Sequence, residues 1–152
     1  FVTVDGSTRD IFRMLERNGI VAMAFDGRGG NRFRTTPFLG RTALLATGPW
    51  KLAARTGATV LPAMCVRQRD RSHRLHLEPG VRPDMDLPLQ ERCQALQDQV
   101  LQGAIEPLLT RHPDHYAPWL LHCARMAPLD DQPLFVDRAR GEGWRKHDGA
   151  RF

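Results

Sequence analysis

The chain has 152 residues, 41% hydrophobic and 26% charged, with 13 glycines and 11 prolines, the make-up of one folded domain rich in loops rather than of a disordered segment. Its formal net charge is +5, carried almost wholly by arginine, since Lys51 and Lys146 are the only lysines. No apolar run approaches the roughly 20 residues of a membrane span, and Cys65, Cys93 and Cys123 lie far apart without a CxxC pair, which removes the usual zinc signal and fits reduced thiols. The planar donor fork of arginine suits phosphate and carboxylate, so the charge reads either as an anionic partner or as a coding preference for arginine.

In chain order, "STRDIFRMLERNG" (7–19) opens on a candidate N-cap, Ser7, sets Ile11, Met14 and Leu15 on one face, and closes on Asn18-Gly19, which predicts a helix with both ends marked. "IVAMAF" (20–25) is a continuous apolar run of strand length, the pattern of a strand covered on both faces. After the loop at Asp26 comes an extended arginine-rich stretch, 31–36. The segment from Thr42 to Arg55 then reads as a helix that Pro49 kinks or splits. "ATVLPAMCVR" (58–67) is a second buried strand, pushed towards an edge by Pro62.

"SHRLHLEP" (72–79) alternates as a half-exposed strand does, and 81–88 is a linker. A long amphipathic helix fits 89–110, with Leu89, Cys93, Leu96, Val100, Ile105 and Leu108 on its apolar side. "HPDHYAPWLLHCAR" (112–125) is a turn and a short aromatic segment, and the text after Pro128 is polar and Arg/Gly-rich. The expected domain therefore runs over 1–127, with 128–152 a loose tail. The order of elements implies α/β: a mixed, largely parallel sheet flanked by helices.

Asp26 ends the first expected strand, where α/β sheets place ligands. Gly27, Gly29 and Gly30 would let backbone N–H groups turn inward as an anion nest, with Arg28 and Arg32 adding charge. The stretch is not GxGxxG, because Arg32 holds the last position, and it lacks the Lys-Ser/Thr of a P-loop. A simple turn whose Asp caps its own backbone accounts for the same residues.

His73-x4-Glu78 has the spacing of an acyltransferase base and its orienting acid. On an alternating strand, residues five apart face opposite sides, so the pair is read as non-catalytic. His112, His115 and His122 flank Tyr116 and Trp119 without the partners that specify a metal. The arginines lack the interleaved aromatics of a nucleic-acid module, so no nucleic-acid partner is expected.

Taken together, the strand ending at Asp26, the basic loop and "PFLGRTALLATGPWKLAARTGATVLPAMCVR" resemble the C-terminal portion of bacterial lipid A biosynthesis acyltransferases of the lauroyl/myristoyl type, in the lysophospholipid acyltransferase superfamily. The matching positions include Asp26, Pro37-Phe38, Gly40, Thr47-Gly48, Leu52-Ala53, Gly57-Ala58, Val60, Pro62 and Arg67. Pro113, Tyr116, Trp119, His122 and Arg125 are similar to the family's closing segment.

The resemblance implies transfer of a fatty acyl group from acyl carrier protein or acyl-CoA to a hydroxyl of an anionic glycolipid or lysophospholipid, at the cytoplasmic face of the inner membrane and without a cofactor. It also implies substrate-binding roles for Asp26, Arg28, Arg32, Phe38, Gly40, Arg41 and Arg67. The family's His-x4-Asp/Glu motif and membrane anchor belong upstream of the matched region, so the chain is expected to be truncated at its N-terminus, to hold no catalytic residue and to be inactive alone. The alternative reading is a non-catalytic anion- or phosphate-binding module of the same fold.

Overall fold

The computed structural model describes residues 8–26, 32–116 and 135. Helix α1 (Thr8–Glu16) ends as the sequence predicts. Asn18 takes a left-handed conformation (φ 57°), the Gly19 N–H donates to the Met14 carbonyl at 2.8 Å, and the Asn18 N–H donates to the Leu15 carbonyl at 3.0 Å. This pair of bonds is a Schellman cap. Ser7, the expected N-cap, lies outside the described residues.

The run 20–25 does not form the expected strand. It is irregular, Ile20 is 94% exposed and Met23 is 49% exposed. A strand buried on both faces needs partners for its backbone, and among the described residues nothing pairs with this stretch.

Strands β1 (Phe33–Phe38) and β2 (Arg41–Ala46) pair antiparallel, from Phe33 opposite Ala46 to Phe38 opposite Arg41. Leu39 and Gly40 form the two-residue turn with φ of 52° and 69°. Positive φ at both positions gives the twist that closes a tight hairpin. Leucine at such an angle is uncommon, and the Leu39 N–H is satisfied by the Glu106 carboxylate at 3.0 Å. The helix expected from Thr42 to Arg55 is therefore strand up to Ala46. Helix α2 (Gly48–Thr56) begins beyond it, with Pro49 in its first turn, where the missing N–H costs nothing. It ends at Gly57 (φ 72°), whose N–H donates to the Ala53 carbonyl.

Strands β3 (Ala63–Arg67) and β4 (His73–Leu77) form a second antiparallel pair, lengthened by a bridge between Val60 and Val81. Both described sheets are two-stranded and antiparallel, so the fold is mixed α/β without the largely parallel sheet expected. The cause is local: 20–25 contributes no strand, and each remaining strand finds its partner across a short turn instead of a helical crossover.

Helix α3 (Leu89–Val100), a π-helical turn (Leu101–Ile105) and α4 (Glu106–Arg111) follow one another without a break, as the sequence predicts for 89–110. The π turn has a covalent origin: Pro107 has no N–H to give the Gly103 carbonyl, and the ladder widens one turn earlier. Leu96, Val100, Leu101, Ile105 and Leu109 make the buried stripe of this rod. They pack with Phe38, Ala43 and Leu45 of the first hairpin and with Trp50 and Ala53 of α2. Arg92 ties the layers by donating to the carbonyls of Ala54 (2.9 Å), Met85 (2.7 Å) and Leu87 (2.8 Å).

Most of the expected polar tail lies outside the described residues. Phe135 is the exception: it is buried, bridges to Ala43 and stacks on Phe38 with ring centroids 6.4 Å apart.

Candidate functional site

Even-numbered residues of the first strand, Arg34, Thr36 and Phe38, alternate with more exposed neighbours, and exposed Arg32 immediately precedes the strand. Thr36 and Phe38 enter the core, while Arg32 and Arg34 border a groove of about 770 Å³ between this strand, α2 and α3. Helix α2 adds Trp50, Lys51 and Arg55, and α3 adds Gln97. Lys51 and Arg55 are four residues apart and so share a face, which brings four cations to one groove. None of its described lining residues is a carboxylate.

Arg34 is held by Asp98, with Nη2 donating to Oδ1 at 2.9 Å, and the Thr36 hydroxyl donates to the same oxygen at 3.4 Å. Three side-chain donors of this lining are buried without a partner: Arg34 Nε, Trp50 Nε1 and Gln97 Nε2. A buried donor left unpaired costs about 1–3 kcal/mol, so three in one groove is an unusual concentration. Both α2 and α3 also bring their N-terminal turns to the groove, through Thr47 and through Leu89 and Gln90. Their dipoles favour negative charge there.

Of the residues singled out from the sequence, Arg32 lines this groove. Arg28 lies outside the described residues. Asp26 is half-buried, next to Phe25, whose ring meets Phe38 at 5.7 Å and Tyr116 at 6.2 Å. Phe38 is fully buried within that aromatic cluster, so its ring packs the core. Gly40 sits in the hairpin turn, and Arg41 is exposed opposite Phe38. Six residues of extended strand put that turn about 20 Å from the Arg32 end. Arg67 is exposed on the other sheet, opposite His73, and its carbonyl lies 3.3 Å from His115 Nε2. The candidates thus divide among three places on the molecule.

Lys51, Arg55, Trp50 and Gln97 were not recognisable as site residues one at a time. The available signal was joint: arginines two apart on a strand and cations four apart on a helix.

The His73–Glu78 spacing leads nowhere catalytic. Glu78 accepts from Arg111 at 2.7 Å, and His73 is exposed at the start of β4. His76 and His112 approach with ring centroids 5.2 Å apart, and His112 and His115 with 6.2 Å. The neighbouring His115 imidazole, 3.0 Å away, holds the Asp114 carboxyl below the usual carboxylate range. Among the described residues no group of three or more His, Cys, Asp or Glu side chains is placed to hold a metal. No described helix is long and apolar enough to cross a membrane.

The described residues thus form a mixed α/β domain with a cationic groove whose lining includes no carboxylate. The family model described as bacterial lipid A biosynthesis acyltransferase matches residues 2–123, and the chain belongs to that family. No curated protein and no solved structure matches it.

Proposed function

We propose that this chain is the substrate-shaping part of an acyltransferase that moves a fatty acyl group from acyl carrier protein or acyl-CoA to a hydroxyl of a lipid A-type or lysophospholipid acceptor. The observation that carries the reading is the family match over residues 2–123. The net charge of +5 and the cations of the groove support an anionic substrate. In such a reaction the acceptor oxygen attacks the thioester carbon, its proton passes to a base, and the thiol leaves. This chain's part is to bind and orient: Arg32 and Arg34 offer forks to phosphate, and Asp26 holds a sugar hydroxyl or steers a nearby arginine.

The base is not supplied here. His73 and Glu78 are the only His-x4-acid pair, and Glu78 is engaged by Arg111. The 152-residue chain alone is therefore inactive, and the reaction takes place at the cytoplasmic face of the inner membrane. The test is transfer of labelled acyl groups from acyl carrier protein to a phosphorylated glucosamine disaccharide lipid. Turnover is expected when the chain is joined to a segment that supplies a His-x4-acid motif, and none from residues 1–152 alone. Turnover by the 152-residue chain would overturn the assignment of the base, and none by the joined protein would overturn the acyltransferase reading.

A further inference from the structure

The second hairpin carries a face that neither the groove nor the core uses. Exposure alternates along β3: Pro62 and Val66 are buried and Met64 is half-buried, while Leu61, Ala63, Cys65 and Arg67 are exposed. Across the ladder Ala63 pairs with Leu77, Cys65 with Leu75 and Arg67 with His73, and those three partners are exposed too. The odd-numbered residues therefore make one outward face, two strands wide. Its base is apolar, with Leu61, Leu75 and Leu77 exposed by 54%, 62% and 56%. Its far end is cationic, running from Arg67 into a turn that holds Arg69 and Arg71, both exposed.

Among the described residues these three arginines take part in no ion pair. The acids of the same hairpin are already engaged: Asp70 accepts from Ser72, and Glu78 accepts from Arg111. We propose that this face is a docking surface for an anionic lipid bilayer, with Leu61, Leu75 and Leu77 against the acyl boundary and Arg67, Arg69 and Arg71 at the level of the phosphates. A bilayer surface offers both chemistries side by side, and an arginine lays its stem along the apolar layer while its fork stays among the headgroups. Nucleic acid would answer the charge and leave the leucines in water, and the face has no Phe, Tyr or Trp on which a base could stack. The inference takes from the acyltransferase reading only its setting at a membrane. Vesicle binding needs no turnover, so either can fail without the other.

The experiment is co-sedimentation of the full chain with sucrose-loaded vesicles, one set of phosphatidylcholine and one enriched in phosphatidylglycerol. Saturable binding to the anionic vesicles is expected, with affinity for the neutral ones at least about tenfold weaker. Arg69→Gln and Arg71→Gln each weaken binding about fivefold, the worth of one cation near a charged leaflet. Leu75→Gln and Leu77→Gln each weaken it about fivefold as well, and keep that effect at raised salt, where the arginine effects fade. Arg17→Gln removes an equal charge from an exposed position after α1 and leaves the affinity within about twofold.

All five positions are exposed, so the variants keep the fold, which circular dichroism checks. An environment-sensitive fluorophore on exposed Cys65, in a chain carrying Cys93→Ser and Cys123→Ser, reads the contact directly through a blue shift on anionic vesicles. Equal losses from Arg17→Gln and Arg69→Gln, no loss from the leucine changes, or an unshifted Cys65 probe would reduce the binding to net charge and overturn the proposal. Absence of saturable binding would overturn it too, and a dimer that Leu75→Gln dissociates would then give the face to a second copy.

Discussion

The two hairpins of this molecule are built on the same antiparallel ladder and differ in what covers them. In the first, Phe38, Ala43 and Leu45 have no exposed surface, and residues 60 or more positions away hold the strand and its turn: Asp98 takes Arg34, and Glu106 takes the Leu39 N–H. In the second, Val66 is the only buried strand residue, Leu75 and Leu77 are 62% and 56% exposed, and the turn is closed by its own neighbours. Gln68 and Ser72 bond across that turn, and Asp70 accepts from both the N–H and the hydroxyl of Ser72. A ladder gives shape, and long-range burial gives stability. The first hairpin has both, whereas the second has chiefly the former.

The strongest way to break this comparison is to make the same substitution in each hairpin. Leu45→Ala leaves a cavity in a packed core and is expected to cost about 3 kcal/mol, within the usual 2–5 for buried leucine. Leu75→Ala removes surface that water already reaches and is expected to cost under about 0.5 kcal/mol. Urea unfolding of the two variants decides it through their midpoints at constant m-value. Comparable losses would mean that the second hairpin is packed against something its exposure does not reveal.

A smaller effect separates the two turns. Gly40 has φ of 69°, and a Cβ built there meets nothing within 4 Å, so Gly40→Ala carries only backbone strain, about 1–2 kcal/mol. In the second turn Arg71 already bears that strain at φ 70°. Arg71→Gly relieves it at an entropic cost in the unfolded chain and is expected to range from neutral to about 1 kcal/mol stabilising. Opposite signs in thermal unfolding would confirm that one turn chose its residue for conformation and the other did not.

These contrasts also explain how far the sequence could be read. The α1 end at Asn18-Gly19, the strand at 73–77 and the long apolar stripe of 89–110 were all legible, because each depends on residues close in the chain. The reading failed where distant partners decide. "RTALLA" at 41–46 consists largely of good helix formers, and it becomes strand because Leu39-Gly40 folds it onto 33–38 and the rod at 96–109 covers the result. "IVAMAF" has the composition of a buried strand, but no described strand lies beside it.

The candidate site was legible at Arg32 and not at Trp50 or Gln97. Taken alone, an aromatic and an amide at helical spacing look like core and surface. What marks them is a pair of buried N–H groups without acceptors, which only three-dimensional packing creates.

The smallest expected effect concerns the turn of the second hairpin and follows from its purely local bonds. The Ser72 hydroxyl, with the Ser72 N–H as the second cause, holds the Asp70 carboxyl below its ordinary value of 3.8. A depressed carboxyl favours the folded turn when ionised. Its contribution is therefore present above about pH 4 and fades as pH falls through the lower, folded value. Carboxyl-carbon NMR titration should place the Asp70 midpoint below 3.8, and Ser72→Ala should raise it part of the way back, since the backbone N–H still donates. The first hairpin's ladder should show no response to that change, because its strands pair only with each other and not with this turn. If amide exchange in β1 and β2 quickened with Ser72→Ala, the two hairpins would be coupled, and the division between a covered ladder and a bare one would not hold.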